Sequence, residues 1–383
     1  MQTYDVIIIG GGCVGLAMAH ALRPLNLRVA LLEGRKLTVP TLEDSYDSRV
    51  YAVNHASENL LRELNVWDDI KNSRACQYYH MTVWEKDLDQ AIHFDRSEVA
   101  KSHLGHIIED RIIRHALLKD IKQFTSCFDN ITIEKLSYHD NHWQIDDAYK
   151  TTLLIGADGA NSFVRKALGI KCDERAYHQD ALVTTVHMTK PHQHTAWQHF
   201  LPTGPLALLP LEDDNLCSIV WSTTNDEANE LKAIDESAFN HRLQKAFGNH
   251  LGELTVVGPR LSFPLKRRHA ERYVQDGATI IGDAAHTIHP LAGLGMNLGL
   301  EDVAALANQL TKTPTRYLGH PHYLNRYARA RRGRVSNVIT AMAGFHALFS
   351  NDNPYLKTLR NTGLNIANHF PTFKRLAIEQ ALG

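Results

Sequence analysis

The sequence predicts an α/β protein in which a parallel sheet, opened by a β-α-β unit, is interrupted by an inserted, mostly antiparallel sheet and followed by helices. Three observations carry this expectation. Asp5-Val-Ile-Ile-Ile-Gly10 is a short β-branched apolar run ended by glycines, the pattern of a strand buried on both faces. A helical stretch, Val14 to Leu25, leads into a second such run, Arg28-Val-Ala-Leu-Leu-Glu33, so residues 4–33 read as one β-α-β unit. Longer alternating segments between Cys172 and Arg272 then give way to a further buried run, Ala278-Thr-Ile-Ile-Gly-Asp283.

The remaining elements follow in order. Asp47 to Lys122 reads as mostly helical with loops. Short alternating runs between Asn130 and Ile155 suggest strands that lead into Leu153-Leu-Ile-Gly-Ala-Asp158. In the inserted region, Ala181 to Thr189, Leu206 to Leu211, Leu216 to Thr223 and Leu261 to Leu265 alternate as strands do, around a helix near Glu227 to Phe247. From Gly295 the pattern is helical to the C-terminus. A chain of 383 residues exceeds one hydrophobic core. We therefore expect a discontinuous cofactor domain (1–171 and 273–340), a substrate domain (172–272) and a C-terminal helical segment (341–383).

Composition excludes several classes. With 41 basic and 42 acidic side chains the formal charge is -1, which offers nothing to a polyanion, so no nucleic-acid partner is expected. The five cysteines lie far apart, with no Cys-x-x-Cys pair to suggest zinc, an iron–sulfur cluster or a redox disulfide. A reducing, cytoplasmic setting fits them. No stretch approaches the ~18 apolar residues of a spanning helix, and the N-terminus enters a strand without a basic lead. A soluble or peripheral protein is expected.

Gly10-Gly-Gly12-Cys-Val-Gly15 follows a strand and opens a helix, the context that gives a G-x-G-x-x-G match its meaning. Gly10 allows the tight turn, Gly12 lets the backbone approach a pyrophosphate, and Gly15 lets helix pack on strand. Glu33 ends the second strand, where an acid accepts hydrogen bonds from a ribose. This fingerprint does not choose between NAD and FAD.

Two later segments choose by resemblance. Gly156-Ala-Asp158-Gly-Ala-Asn-Ser162 and Gly282-Asp283-Ala-Ala-His286-Thr-Ile-His289-Pro290-Leu-Ala-Gly293-Leu-Gly295-Met-Asn297 resemble the Asp-Gly and Gly-Asp motifs of the flavoprotein aromatic hydroxylases, in that family's order. The resemblance implies bound FAD, with NAD(P)H as co-substrate. It places Asp283 on the ribityl and pyrophosphate region, and Gly295, Met296 and Asn297 beside the flavin pyrimidine, where a helix dipole favours the reduced, anionic ring. Arg49 matches an arginine near the pyrophosphate, Arg111 heads a segment like a flavin-contacting helix, and Asp158 either contacts cofactor or braces its turn. His289 and Pro290 are the flavin-facing catalytic candidates. Leu294, Asp110 and Glu301 depart from the family pattern.

The similarity is closer to the branch that hydroxylates ubiquinone precursors. Leu216-Cys-Ser-Ile-Val-Trp-Ser222, Ser102-His-Leu-Gly-His-Ile-Ile-Glu109 and Trp84-Glu-Lys carry it beyond the cofactor loops, and it is best against members acting on a polyprenylphenol at ring carbon 5. It implies a flavin C4a-hydroperoxide that transfers oxygen from O2 to a hydrophobic phenol. Other ubiquinone-pathway enzymes, a homo-oligomer and peripheral contact at the inner membrane face are compatible partners. The fold also admits two rivals, a flavin-dependent isoprenoid reductase and a non-catalytic FAD-bearing subunit.

No metal site is expected: His286 and His289 sit in a flavin loop without a third ligand, and His192, His194 and His199 read as a polar loop. The basic run Arg326, Arg329, Arg331, Arg332 and Arg334 reads as a solvated, salt-bridged helix face, with membrane or NADPH phosphates as the alternative. Leu356, Leu359, Leu364, Ile366, Phe370, Phe373 and Leu376 read as core-covering.

Overall fold

The computed structural model describes residues 1–42, 45–85, 88, 91–99, 101–288 and 293–349. Strand Gln2–Ile9 pairs in parallel with Val29–Leu32 on one side and Tyr149–Gly156 on the other. The sheet continues outward to Ser126–Phe128 at one edge and, on the other side, to Ala278–Ile280 and then antiparallel Val274–Gln275. Val6, Ile7 and Ile8 are wholly buried, because helices Cys13–Leu22 and Asp110–Lys119 cover one face of this unit and pack on each other. Each such side chain contributes about 1.5–3 kcal/mol on burial, which is why the strand tolerates no alternation.

The second sheet is the inserted one. Cys172–Met188 runs antiparallel to both Leu216–Thr224 and Leu261–Ala270. Gly204–Pro210 and Thr195–Leu201 extend it. Trp84, Trp221, Phe239, Leu243 and Phe247 fill its core, under helices Asn225–Ala233 and Glu236–Phe247. The single helix expected near Glu227 to Phe247 is thus two, separated where Asp235 caps the second through Ala238 N.

The mostly helical reading of Asp47 to Lys122 is overturned in part. Strands Val50–Val53, Ala75–Tyr78, His80–Trp84, Ile92–Asp95 and Gly105–Glu109 lie within it. Gly105–Glu109 pairs with Val50–Val53 and Ala75–Tyr78 in a small separate sheet, while His80–Trp84 joins the inserted sheet through a parallel pairing with Thr195–Leu201. These strands are four or five residues long, too short to alternate visibly, and their partners are remote.

Helices Leu294–Thr311 and Pro321–Phe349 close the fold. The apolar residues from Leu356 to Leu376 lie outside the described residues. So do His289 and Pro290.

Candidate active site

Parallel strands deliver their carboxyl ends to one edge, and the site is built there. Gln2–Ile9 runs into Gly10, whose φ of 112° favours glycine. A Cβ at Gly10 would lie 2.3 Å from the Ala157 carbonyl oxygen, and one at Gly15 would lie 1.9 Å from that of Gly10. Strand, helix and turn therefore touch backbone to backbone. Gly12 differs: a Cβ there meets nothing within 4 Å. Its bare backbone faces open space at the start of helix Cys13–Leu22, whose first amides lack intrahelical partners and suit an anion. The Glu33 carboxylate reaches this turn, accepting from Gly11 N at 2.5 Å and Arg35 N at 2.9 Å.

Asp158 accepts from Ser162 Oγ at 2.5 Å and Val164 N at 3.0 Å, bracing the turn into helix Phe163–Ala167. From that helix the buried Arg165 donates to Ala160 O and, at 2.7 Å, to Ala284 O. The Asp-Gly turn and the Gly-Asp turn are thereby joined across 119 positions of sequence.

Asp283 is half-buried on the second of these turns. Burial pushes its carboxyl up, and the charges of His286, Arg49 and Arg268 oppose the shift. It accepts no hydrogen bond among the described residues. The Arg49 guanidinium lies over the Tyr51 ring at 5.5 Å. Burial would lower its pKa, but Tyr51, Asp110 and Asp283 hold it above the ordinary value. Asp110 Oδ1 accepts from Tyr51 Oη at 2.8 Å and faces Cys13 Sγ at 3.5 Å, so burial and this carboxylate push the thiol up. Glycine turn, Arg49 and Asp283 thus meet in one place. Arg111 sits beside them, its guanidinium held by the buried Glu109 (Nε to Oε2, 2.9 Å), which Arg74 shares at 3.0 Å.

Helix Leu294–Thr311 starts from Gly293 at φ 60° and presents Gly295 and Met296 in its first turn. The Asn297 side chain turns inward instead. Its Oδ1 accepts from Asn54 N (3.0 Å) and Ser57 Oγ (2.8 Å), and its Nδ2 donates to Ala52 O (2.8 Å). Its role in the fold is to seat the loop that carries residues 52–57, leaving backbone amides for a ligand.

One network escaped sequence reading. Asp302, wholly buried, accepts from Gly282 N at 2.9 Å, His286 Nε2 at 2.6 Å and Arg331 Nε at 2.6 Å, and Arg331 also meets Glu301 at 2.6 Å. Burial alone would raise the Asp302 carboxyl, but His286 and Arg331 hold it below the usual range. The solvated reading of the basic helix fails at Arg331, which is buried in this network. An acid at Asp302, one turn from the buried Leu298 on an apolar helix face, was the available signal. The polar-loop reading of three histidines holds at His194, partly exposed in a turn, but not at the other two. His192 is wholly buried on Leu211 O, and His199 lies in strand Thr195–Leu201, stacked on Trp84 at 4.8 Å.

A parallel sheet edge, two joined turns and a helix N-terminus, with open backbone at Gly12 and an acid at Asp283 that accepts no hydrogen bond among the described residues, fit a dinucleotide cofactor. A family model described as FAD binding domain matches residues 3–342, and the chain belongs to that family of FAD-dependent monooxygenases. It is an aromatic hydroxylase with FAD as cofactor. The 3-demethoxyubiquinol 3-hydroxylase of Escherichia coli (strain K12) is 34% identical over 391 residues, covering 100% of this chain and 99% of that protein. The mitochondrial ubiquinone biosynthesis monooxygenase COQ6 of Homo sapiens is 33% identical over 424 residues, covering 95% and 89%. In fold, the chain is similar to p-nitrophenol 4-monooxygenase PnpA from Pseudomonas putida DLL-E4, with TM-score 0.80 at 20% identity over 100% of this chain and 99% of that one.

Proposed function

We propose that the chain hydroxylates the aromatic ring of a polyprenylated phenol on the route to ubiquinone, using NAD(P)H and O2. The observation that carries this reading is the end-to-end match at 34% identity with a ubiquinone-pathway hydroxylase. Gly12 would take the FAD pyrophosphate on a turn that Gly10 and Gly15 shape, Glu33 would take the adenosine ribose, and Asp283 would lie near the ribityl chain. Arg49 neutralises phosphate charge, while Asp158 and Arg111 stand behind the cofactor loops. When bound and reduced, FAD supplies the oxygen-activating chemistry. The residues of the chain bind, orient and exclude water: the amides of Gly295, Met296 and Asn297 offer a positive dipole end to an anionic ring, and His289 and Pro290 are the candidates for the face where substrate sits.

Among the described residues no helix is long and apolar enough to cross a membrane. A prenyl-tailed substrate would be met at the membrane surface by peripheral contact. Motif resemblance favours ring carbon 5. A second position is favoured by the activity of the Escherichia coli relative, named for a demethoxyubiquinol and carbon 3. Mass spectrometry of quinone lipids from a deletion strain tests both. Loss of ubiquinone with accumulation of one under-hydroxylated prenylphenol identifies the carbon. Normal ubiquinone in a strain without a redundant hydroxylase, with saturation of a prenyl chain lost instead, would replace this reading with the isoprenoid reductase.

A further inference from the structure

Behind the cofactor edge, three histidines converge on one carboxylate. Glu58 and His55 stand in the first turn of helix His55–Glu63, and His103 and His106 flank the start of strand Gly105–Glu109. Glu58 Oε2 lies 2.8 Å from His103 Nε2, 3.2 Å from His106 Nδ1 and 3.9 Å from His55 Nδ1. Glu58, His103 and His106 are buried, and His55 is partly open to solvent. Arg62 occupies the other Glu58 oxygen.

The hydrogen bonds around this cluster fix which nitrogens carry protons. His55 Nε2 meets the His103 carbonyl oxygen at 2.8 Å. A carbonyl only accepts, so Nε2 is the protonated nitrogen, and in the neutral ring Nδ1 turns a lone pair toward Glu58 Oε2. Two acceptors therefore face each other with no proton between them. His106 adds a second anomaly: wholly buried, its Nε2 has no hydrogen-bond partner among the described residues, and its Nδ1 is poorly aligned on the carboxylate. At His103, Nδ1 meets the Ser102 hydroxyl at 2.8 Å. A hydroxyl accepts as readily as it donates, so Nδ1 can carry the proton and leave Nε2 as a ligand.

We propose that Glu58 Oε2, His55 Nδ1 and His103 Nε2 bind a divalent zinc ion, with a water at the fourth position. Nitrogen and oxygen ligands on neutral imidazoles and one carboxylate suit zinc. Tetrahedral bonds of about 2.0–2.1 Å put ligand atoms roughly 3.3 Å apart. Glu58 Oε2 stands 2.8 Å from His103 Nε2 and 3.9 Å from His55 Nδ1, on either side of that value, and the atoms offered by His55, Glu58 and His103 all lie within 4.8 Å of one another. The outer partners are those of a metal site: the His103 carbonyl on His55, the Ser102 hydroxyl on His103 and Arg62 on Glu58. Two of the three protein ligands are buried and they join a helix to the segment before a strand, so the ion is structural. It clamps helix His55–Glu63, whose Asn54 and Ser57 hold Asn297, to the strand that ends in Glu109. Sequence reading found no metal because His55 and His103 are 48 positions apart.

Chelator-treated, FAD-loaded enzyme is titrated with zinc, and with cobalt as a spectroscopic probe, at neutral pH. The proposal expects one tight equivalent of zinc, visible cobalt bands of a four-coordinate site that zinc abolishes, and a Tm raised by zinc. His103→Gln and His55→Gln, checked for folding by retained flavin absorbance, each weaken zinc at least 100-fold, whereas Ser102→Ala weakens it about tenfold. Parent enzyme that takes up less than one equivalent and gives no such cobalt spectrum overturns the proposal. So does a folded His55→Gln or His103→Gln variant that binds as tightly as the parent, which would assign the zinc to other histidines.

Discussion

Gly12 and Gly15 lie three positions apart and answer to different demands. A Cβ at Gly15 meets a carbonyl oxygen at 1.9 Å, and backbone cannot yield as a flexible side chain does. Gly15→Ala should cost at least about 1–3 kcal/mol, read as a lowered Tm even of the cofactor-free protein. Gly12→Ala meets nothing, so its Tm without cofactor should match the parent while FAD binds at least tenfold more weakly in a fluorescence titration. Equal FAD affinity would remove the pyrophosphate from that turn. Asp283 makes a sharper case, because its carboxylate is unengaged by the described residues. Asp283→Ala should purify without the yellow flavin absorbance, and a variant that keeps full absorbance would show that the flavin is held elsewhere.

At the scale of elements, helix Leu294–Thr311 is anchored from behind. Asp302 is the post on which the Gly282 amide, His286 and Arg331 all hang. Removing one partner of a buried charged network leaves the others uncompensated, and Asp302→Ala should lose about 3–5 kcal/mol in urea denaturation. Loss within the scatter of surface substitutions, about 0.5 kcal/mol, would make the network energetically idle. What the sequence made legible at this scale follows from burial. Residues 6–9 and Val29–Leu32 are covered on both faces, so they read as unbroken apolar runs, and the glycine turn between them is a local signal. Arg331 was unreadable for the opposite reason: a charged helix residue looks the same whether water or an acid 29 positions earlier is its partner. The short strands from Val50 to Glu109 fail similarly, since the partners that define them are remote. Of the candidate site, the glycines, Glu33 and Asp283 were visible as motifs. Arg165 and Asp302, which hold the turns together, were not.

For the whole molecule, buried histidines set a response to acid. Burial lowers His20, His192 and His269, the last to about 4, with His286 and Arg332 adding to the effect. In the unfolded chain they titrate near 6.5. Between these values the unfolded state binds more protons than the folded one, so stability rises with pH across that window. The contribution is complete above about 6.5 and, for His269, lost by about 4. Urea midpoints should therefore fall steadily between pH 7 and 4.5, and His269→Asn should shallow that slope. An unchanged slope would assign the response to other groups.

Strand Ala278–Ile280 completes the parallel part of its sheet by pairing with Tyr149–Gly156, and between the two the chain builds most of a second sheet. On the ribosome, this order delays the cofactor. The glycine turn emerges well before, yet the edge at residues 154–156 stays open, and Arg165 lacks the Ala284 carbonyl, until more than a hundred further residues have been made. A nascent chain halted at Arg272 should carry the fingerprint and no flavin, and colour should arrive only once Asp283 and the helix after it have left the exit tunnel. Flavin is thus a late reporter of synthesis: a yellow chain is one whose inserted sheet has already been threaded between the two halves of its cofactor fold.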